Sequence, residues 1–440
     1  MTLLCSTLGA VTVGCAGGGS SATQPATVVP AAVQGAPAIG SAARQAHSCV
    51  RRTLATSCSG TGTGAFVGGA GGNGSGGYNP NVAKGLFAFV GAGSGNDACD
   101  AWSTIAGGYD NVASGTGEDA FIGAGENNLT TGYDLDSTIV AGNTNTVSED
   151  ESAIVAGFDN LVQTEDALIG TGRQNVISGS GDESAIVSGE HNQVLAKFGF
   201  IGAGTNNTVS GEGAYIAAGG YNTASGTGAV IDGGFNSSAS GTFATIPGGY
   251  VNSAAGTYSF AAGARASAAQ TGTFVWSDGS DGDTILASSR AYQFLARASG
   301  GVTFWTNAGS TVGATLAPGS GTWASASDRN LKTDVARIDD AIVLDKVAAL
   351  PIERWSYKSE RGVRHVGPMA QDFYAAFGVG EDDKHITSID EDGVALAAIK
   401  ALHARVGALG AENARLRAQL SSTDARLAKL SAAVAALTAR

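Results

Sequence analysis

Hydrophobic positions along the chain recur in a fixed frame. The pattern Ile-x-x-Gly-x-x-Asn appears at Ile105/Gly108/Asn111, Ile122/Gly125/Asn128 and Ile139/Gly142/Asn145. It continues through Ile154, Ile169, Ile186, Ile201 and Ile216, passes Ile231/Gly234 with Ser237 in the Asn place, and closes at Ile246/Gly249/Asn252. Successive isoleucines stand 15 or 17 residues apart, and variant units begin at Val67, Val90 and Phe260. Such a unit is too short for two helices and too rich in glycine for one. It predicts two short strands per unit, with the apolar residue pointing inward onto its copies above and below. Glycine supplies positive φ at the corners, and Asn is expected in the left-handed region beside it. The two-residue additions are expected to bulge out at a turn. Stacked units form a β-solenoid, stabilised unit by unit.

The pattern stops after Gly263. The stretch that follows, with Trp276 and Trp305, alternates apolar and polar residues and predicts several short strands capping the last coil. A different period governs the C-terminus. Ile399, Leu402, Val406, Leu409, Asn413, Leu416, Leu420, Thr423, Leu427, Leu430, Val434 and Leu437 alternate spacings of three and four, the mark of a coiled coil with Asn413 at an a position. The expected order is therefore a mainly β chain. Repeats fill 63–268, a small β connector 269–326, an α+β domain 327–398 and a coiled coil 399–440.

Composition narrows the function. The chain has 67 glycines in 440 residues, only 14% charged residues and a net charge of −13. That balance argues against nucleic acid as a partner, which requires clustered Lys and Arg. The acidic residues between 117 and 190 fall mostly in turns and read as a solvated outer edge. The five cysteines, Cys5, Cys15, Cys49, Cys58 and Cys99, show no CxxC pair. No metal site or cofactor is expected from them, although Cys49 and Cys58 could close a small disulfide loop. The glycine-rich stretch 68–77 lacks the aspartates of a calcium-binding nonapeptide repeat. Residues 2–15 form a short apolar run that suits a signal peptide, and 16–62 read as a tether. The ending Val13-Gly14-Cys15 resembles a bacterial lipobox, which implies lipid and membrane attachment at Cys15.

Two further resemblances carry the functional expectation. Units such as ATIPGGYVNSAAGTY and AYIAAGGYNTASGTG resemble the head repeats of YadA-type trimeric autotransporter adhesins. That implies a left-handed parallel β-roll, three chains side by side, and a head that meets a glycan or other cell-surface ligand. The piece Ser327-Asp328-Arg329-Asn330-Leu331-Lys332 resembles the start of the intramolecular chaperone of phage endosialidases and tail fibres. So do Ala349-Leu350-Pro351 with Trp355-Ser356-Tyr357-Lys358, the run from His365 to Phe373, and the helix entered through Gly393-Val394-Ala395-Leu396. This resemblance implies self-cleavage by a Ser–Lys dyad, with Ser327 as nucleophile, Lys332 as base and Ala326–Ser327 as the bond cut. His365 is expected to pack or hydrogen-bond, not to catalyse. Asn413 alone favours a dimer, but both resemblances imply a homotrimer at the cell surface or on a virion. A non-cutting adhesin and a glycan-degrading spike are the competing readings.

Overall fold

The computed structural model describes residues 62–69, 80–115, 118–132 and 136–438. Cys5, Cys15, Cys49, Cys58, the apolar leader, nearly all of the tether and most of 68–77 lie outside them. Cys99 is disulfide-bonded.

The repeat region is a parallel β-solenoid. Through Ile246 each coil contributes a two-residue strand to each of two sheets, which among the described residues hold sixteen and fourteen strands, and these strands pair in parallel with the equivalent strands of the next coil. Thr104–Ile105 pairs with Phe121–Ile122, which pairs with Thr138–Ile139, so the 17-residue units keep the same register as the 15-residue ones. The extra residues fall between Asn and the next Ile, where no pairing is disturbed.

Four columns fill the interior. Ile105 through Ile246 form one, all fully buried. A second, from the other sheet, holds smaller side chains such as Ala113, Val162, Val209 and Ala239. A third is made of small residues, mostly Ala or Ser, for example Ala120, Ser152 and Ala214. Each coil thus buries more than its isoleucine, although the added groups are small.

The fourth column corrects the expected role of asparagine. The repeat Asn residues do not take the left-handed conformation; the residue just before each of them does, as at Asp110 (φ 52°), Asp159 (φ 57°) and Asn206 (φ 56°). Asn111, Asn160 and Asn207 are instead fully buried and stack as a ladder. The Asn111 backbone N–H and side-chain Nδ2 both donate to Asn96 Oδ1, at 3.2 and 2.9 Å, while Nδ2 also donates to the Gly125 carbonyl at 2.9 Å. A carboxamide fits because it donates and accepts along one line, and strands about 4.8 Å apart bring successive amides into reach. Where Ser237 replaces Asn, its N–H still donates to Asn222 Oδ1 and its Oγ accepts from Asn252 N.

Beyond Gly263 the sequence pattern ends, yet the parallel stack runs on. Phe260–Ala264 pairs with Phe274–Ser277, and that strand with Phe294–Arg297. Phe260, Phe274 and Phe294 stack with centroids 4.6 and 4.8 Å apart. The frame is hidden because the intervening loops change length: Val275 pairs with Leu295 across Asp278–Ile285, where Arg297 and Arg265 pair with Asp281 and Asp283. A three-stranded sheet of Val302–Trp305, Gly313–Leu316 and Trp323–Ser325 follows.

The chain divides into two compact units, the second formed by Trp305–Gly313 and everything from Ser325 onward. It contains helix α1 (Asp340–Ala349), a two-stranded antiparallel sheet (Glu353–Trp355 with His365–Gly367), helix α2 (Ala370–Phe377) and the 51-residue helix α3 (Ser388–Thr438). Asp339 caps α1 by accepting from Ala341 N and Ile342 N. α3 packs on α1, with Lys400 paired to Asp340 and Arg405 to Asp345, and it buries Ala397, Ala398 and Ala401.

Candidate functional site

The segment around Ser327 is held by backbone and side-chain bonds at both ends. On the upstream side the Ala326 N–H donates to the Gly313 carbonyl at 3.1 Å. Downstream, Asp328 is extended (φ −66°, ψ 133°) and caps a one-turn 3-10 helix, Arg329–Leu331. Its Oδ1 accepts from Asn330 N at 2.9 Å and from Asn330 Nδ2 at 3.0 Å. Leu331 N donates to the Asp328 carbonyl and Lys332 N to the Arg329 carbonyl, each at 3.2 Å. The turn carries Lys332 back over Ser327, and Lys332 Nζ donates to Ser327 Oγ at 2.7 Å. The structure therefore brings together the two residues singled out in the sequence, next to the Ala326–Ser327 bond. Residues 321–339 are all exposed.

Chemically, a lysine amine in contact with a serine hydroxyl can take its proton once the amine is neutral, leaving an alkoxide-like nucleophile. His365 stands elsewhere. Its ring stacks on Trp355 with centroids 4.7 Å apart, and its Nε2 lies 3.3 Å from Glu360 Oε2, a packing and hydrogen-bonding role. A groove of about 890 Å³ lies between α1 and α3, lined by Arg337, Asp340, Leu344, Asp345, Lys400 and Arg405, and it includes neither dyad residue.

On the solenoid, Asp119, Asp136, Glu151, Asp166 and Glu183 occupy successive left-handed turns. The hydrogen bond with Asp166 and that group's charge raise the Glu151 carboxyl above its ordinary range. Lys197 Nζ pairs with Glu183 at 2.8 Å at one end of this column. Among the described residues no group of three His, Cys, Asp or Glu side chains converges to hold a metal.

Two features of the site escape a reading for chemistry. One is Gly313, whose carbonyl anchors Ala326 from a neighbouring strand and carries no local signal. The other is the Asp328–Asn330 turn, announced by an Asp two residues before a hydrogen-bonding partner.

A parallel solenoid precedes this Ser–Lys segment in the chain. Residues 327–378 match the S74 peptidase family model, described as chaperone of endosialidase. The match begins at the serine of the Ser–Lys pair, and together with the parallel solenoid it fits a tail-fibre-like protein. No curated protein matches the chain.

Proposed function

We propose that this chain is a trimeric, exported fibre whose C-terminal segment aligns three chains and then releases itself by cutting Ala326–Ser327. The 2.7 Å contact between Lys332 Nζ and Ser327 Oγ, at the start of the segment that matches the endosialidase chaperone, carries the proposal. In the proposed reaction Lys332 accepts the Ser327 hydroxyl proton, and Oγ attacks the Ala326 carbonyl carbon. The C–N bond breaks, and the proton passes from Lys332 to the departing Ser327 nitrogen. This leaves an ester between Ala326 and Ser327 Oγ. Water then hydrolyses the ester, giving an Ala326 carboxylate and a fragment 327–440 with a free amine.

Trimerisation is supported by the unpartnered seam of α3. Its heptad side chains are exposed from 49% at Leu416 to 73% at Leu437, which an isolated helix in water does not tolerate cheaply. The first part of α3 is apolar enough to cross a membrane by composition. The α1 contact on one face and the heptad seam on the other account for that apolarity. Exposed Val140, Val155 and Val187 on successive or near-successive coils support side-by-side packing of solenoids as well. Assembly and cutting are linked in this reading. Both dyad residues are exposed on the single chain, and a lysine becomes a base when neighbouring surfaces remove it from water.

An oxidising compartment outside the cytoplasm fits the disulfide at Cys99. A lipid at Cys15 would tether the fibre, and the solenoid would present its surface to a glycan or other cell-surface ligand. A Cys15→Ser variant that still partitions with membranes rejects the anchor. For cleavage, intact-mass analysis of the purified chain should find a fragment beginning at Ser327, absent in Ser327→Ala and Lys332→Ala. Full-length chain in all three rejects self-cleavage and leaves a non-cutting trimeric adhesin.

A further inference from the structure

We infer that Asp328 is a positioning residue for self-cleavage: its carboxylate sets the turn that delivers Lys332 to Ser327. This inference rests on the Ser327/Lys332 reading above.

Residues five apart do not meet in regular structure. A helix brings together side chains three or four apart, and a strand separates residues five apart by roughly 16 Å. The 2.7 Å contact therefore depends on the irregular turn between the two residues. That turn has no core behind it, because residues 321–339 are exposed. Local hydrogen bonds hold it instead, and the Asp328 side chain supplies two of them, to Asn330 N and Asn330 Nδ2. The backbone bond from Leu331 N to the Asp328 carbonyl closes the same turn at 3.2 Å. Lys332 then leaves in an extended conformation (φ −112°, ψ 141°), which turns its side chain back toward Ser327. On the other side, the Ala326 N–H bond to the Gly313 carbonyl fixes the acyl half of the bond to be cut. The bond to be cut and the base are thus placed by one clamp each, and Asp328 is the side chain in the second.

The role is geometric, so it should survive loss of charge and fail on loss of the acceptor. Asp328→Ala removes the cap. Cleavage of the full chain, followed by intact mass over time, should slow by roughly 3- to 30-fold, the range expected for losing a capping side chain. Asp328→Asn and Asp328→Ser keep an oxygen that can accept from Asn330 N, and should cut within about 3-fold of wild type. The midpoint of the pH–rate profile should stay put in all three, and sedimentation should find the same assembly. Wild-type speed in Asp328→Ala overturns the inference. So does Asp328→Asn that is as slow as Asp328→Ala, or a shifted pH midpoint, either of which assigns the residue an electrostatic role. Continued cutting in Ser327→Ala or Lys332→Ala, or a wild-type chain that stays intact, rejects the Ser–Lys reading itself and this inference with it.

Discussion

Lys332 Nζ and Ser327 Oγ lie 2.7 Å apart although five positions separate the two residues in the chain. Substitution tests Lys332 as the base rather than a mere hydrogen-bond donor. Lys332→Arg keeps a cation able to donate to Ser327, yet a guanidinium does not lose its proton in a protein. Its self-cleavage should fall by roughly 10²- to 10⁴-fold, the usual contribution of a general base. Intact mass over a day-long incubation reads this directly, and a variant that cuts at the wild-type rate rejects Lys332 as the base.

Gly204 sits at φ 104° at a solenoid corner, and a Cβ there would lie 2.1 Å from the Gly219 carbonyl oxygen of the next coil. Gly204→Ala combines that clash with backbone strain and should cost about 3 kcal/mol or more. Because each coil touches only its neighbours, the loss should stay local. Hydrogen exchange should show coils around 190–220 opening first. Unchanged protection there contradicts the stacked-corner account.

The asparagine ladder allows a paired test. Asn207 Nδ2 donates to Asn192 Oδ1 and to the Ala203 and Gly219 carbonyls, and its Oδ1 accepts from Asn222 N. Asn207→Ala leaves several buried groups unpaired and should destabilise by about 2–3 kcal/mol. Ser237→Asn restores the ladder where Ser interrupts it among the described residues and should stabilise by about 0.5–1.5 kcal/mol. Urea midpoints of the two variants should move in opposite directions.

Acid should tighten the first coils. Burial raises the Asp100 carboxyl to about 6 against the hydrogen bond from Gly115 N, and burial with the charge of Asp110 raises Asp97 to about 6 against Lys84. Both values exceed the ordinary 3.8, so the folded coils bind these protons more tightly than the unfolded chain does. The stabilisation is complete below about 3.8 and is lost as pH rises through about 6. Exchange protection of 97–115, corrected for intrinsic rates, should therefore be higher at pH 5 than at pH 7.5. Asp100→Asn, which can still accept from Gly115 N, should flatten part of that difference.

The α3 seam sets the oligomer in the proposed reading. Leu416→Glu places a charge at a d position and should shift sedimentation from trimer toward monomer. If assembly desolvates the dyad, the same variant should also cut more slowly. Normal cleavage in a monomeric variant separates the two functions.

Some of this was legible in the chain and some was not. Isoleucine recurrence at 15 or 17 residues marked the solenoid because an inward side chain must stack on its copy whatever the loop does. The heptad from Ile399 to Leu437 was readable for the same local reason, whereas Ser327 and Lys332 stood out only through the resemblance of their segment to the endosialidase chaperone. Past Gly263 the short strands were legible but their continuation of the parallel stack was not, since the coils through Val275 and Leu295 keep their register while their loops vary in length.

The same division applies to the repeat and to the site. The sequence by itself determined that the repeat is a stack of coils and that glycine turns its corners; Ser327 and Lys332 became the candidate pair only through the resemblance of their segment to a known family. Only the tertiary structure decided that Asn111 and its equivalents face inward as a ladder and not outward as turn residues. It also decided that Lys332 reaches Ser327 through a turn capped by Asp328. Both depend on which backbone groups lie within about 3 Å across a fold, and spacing along the chain does not specify that.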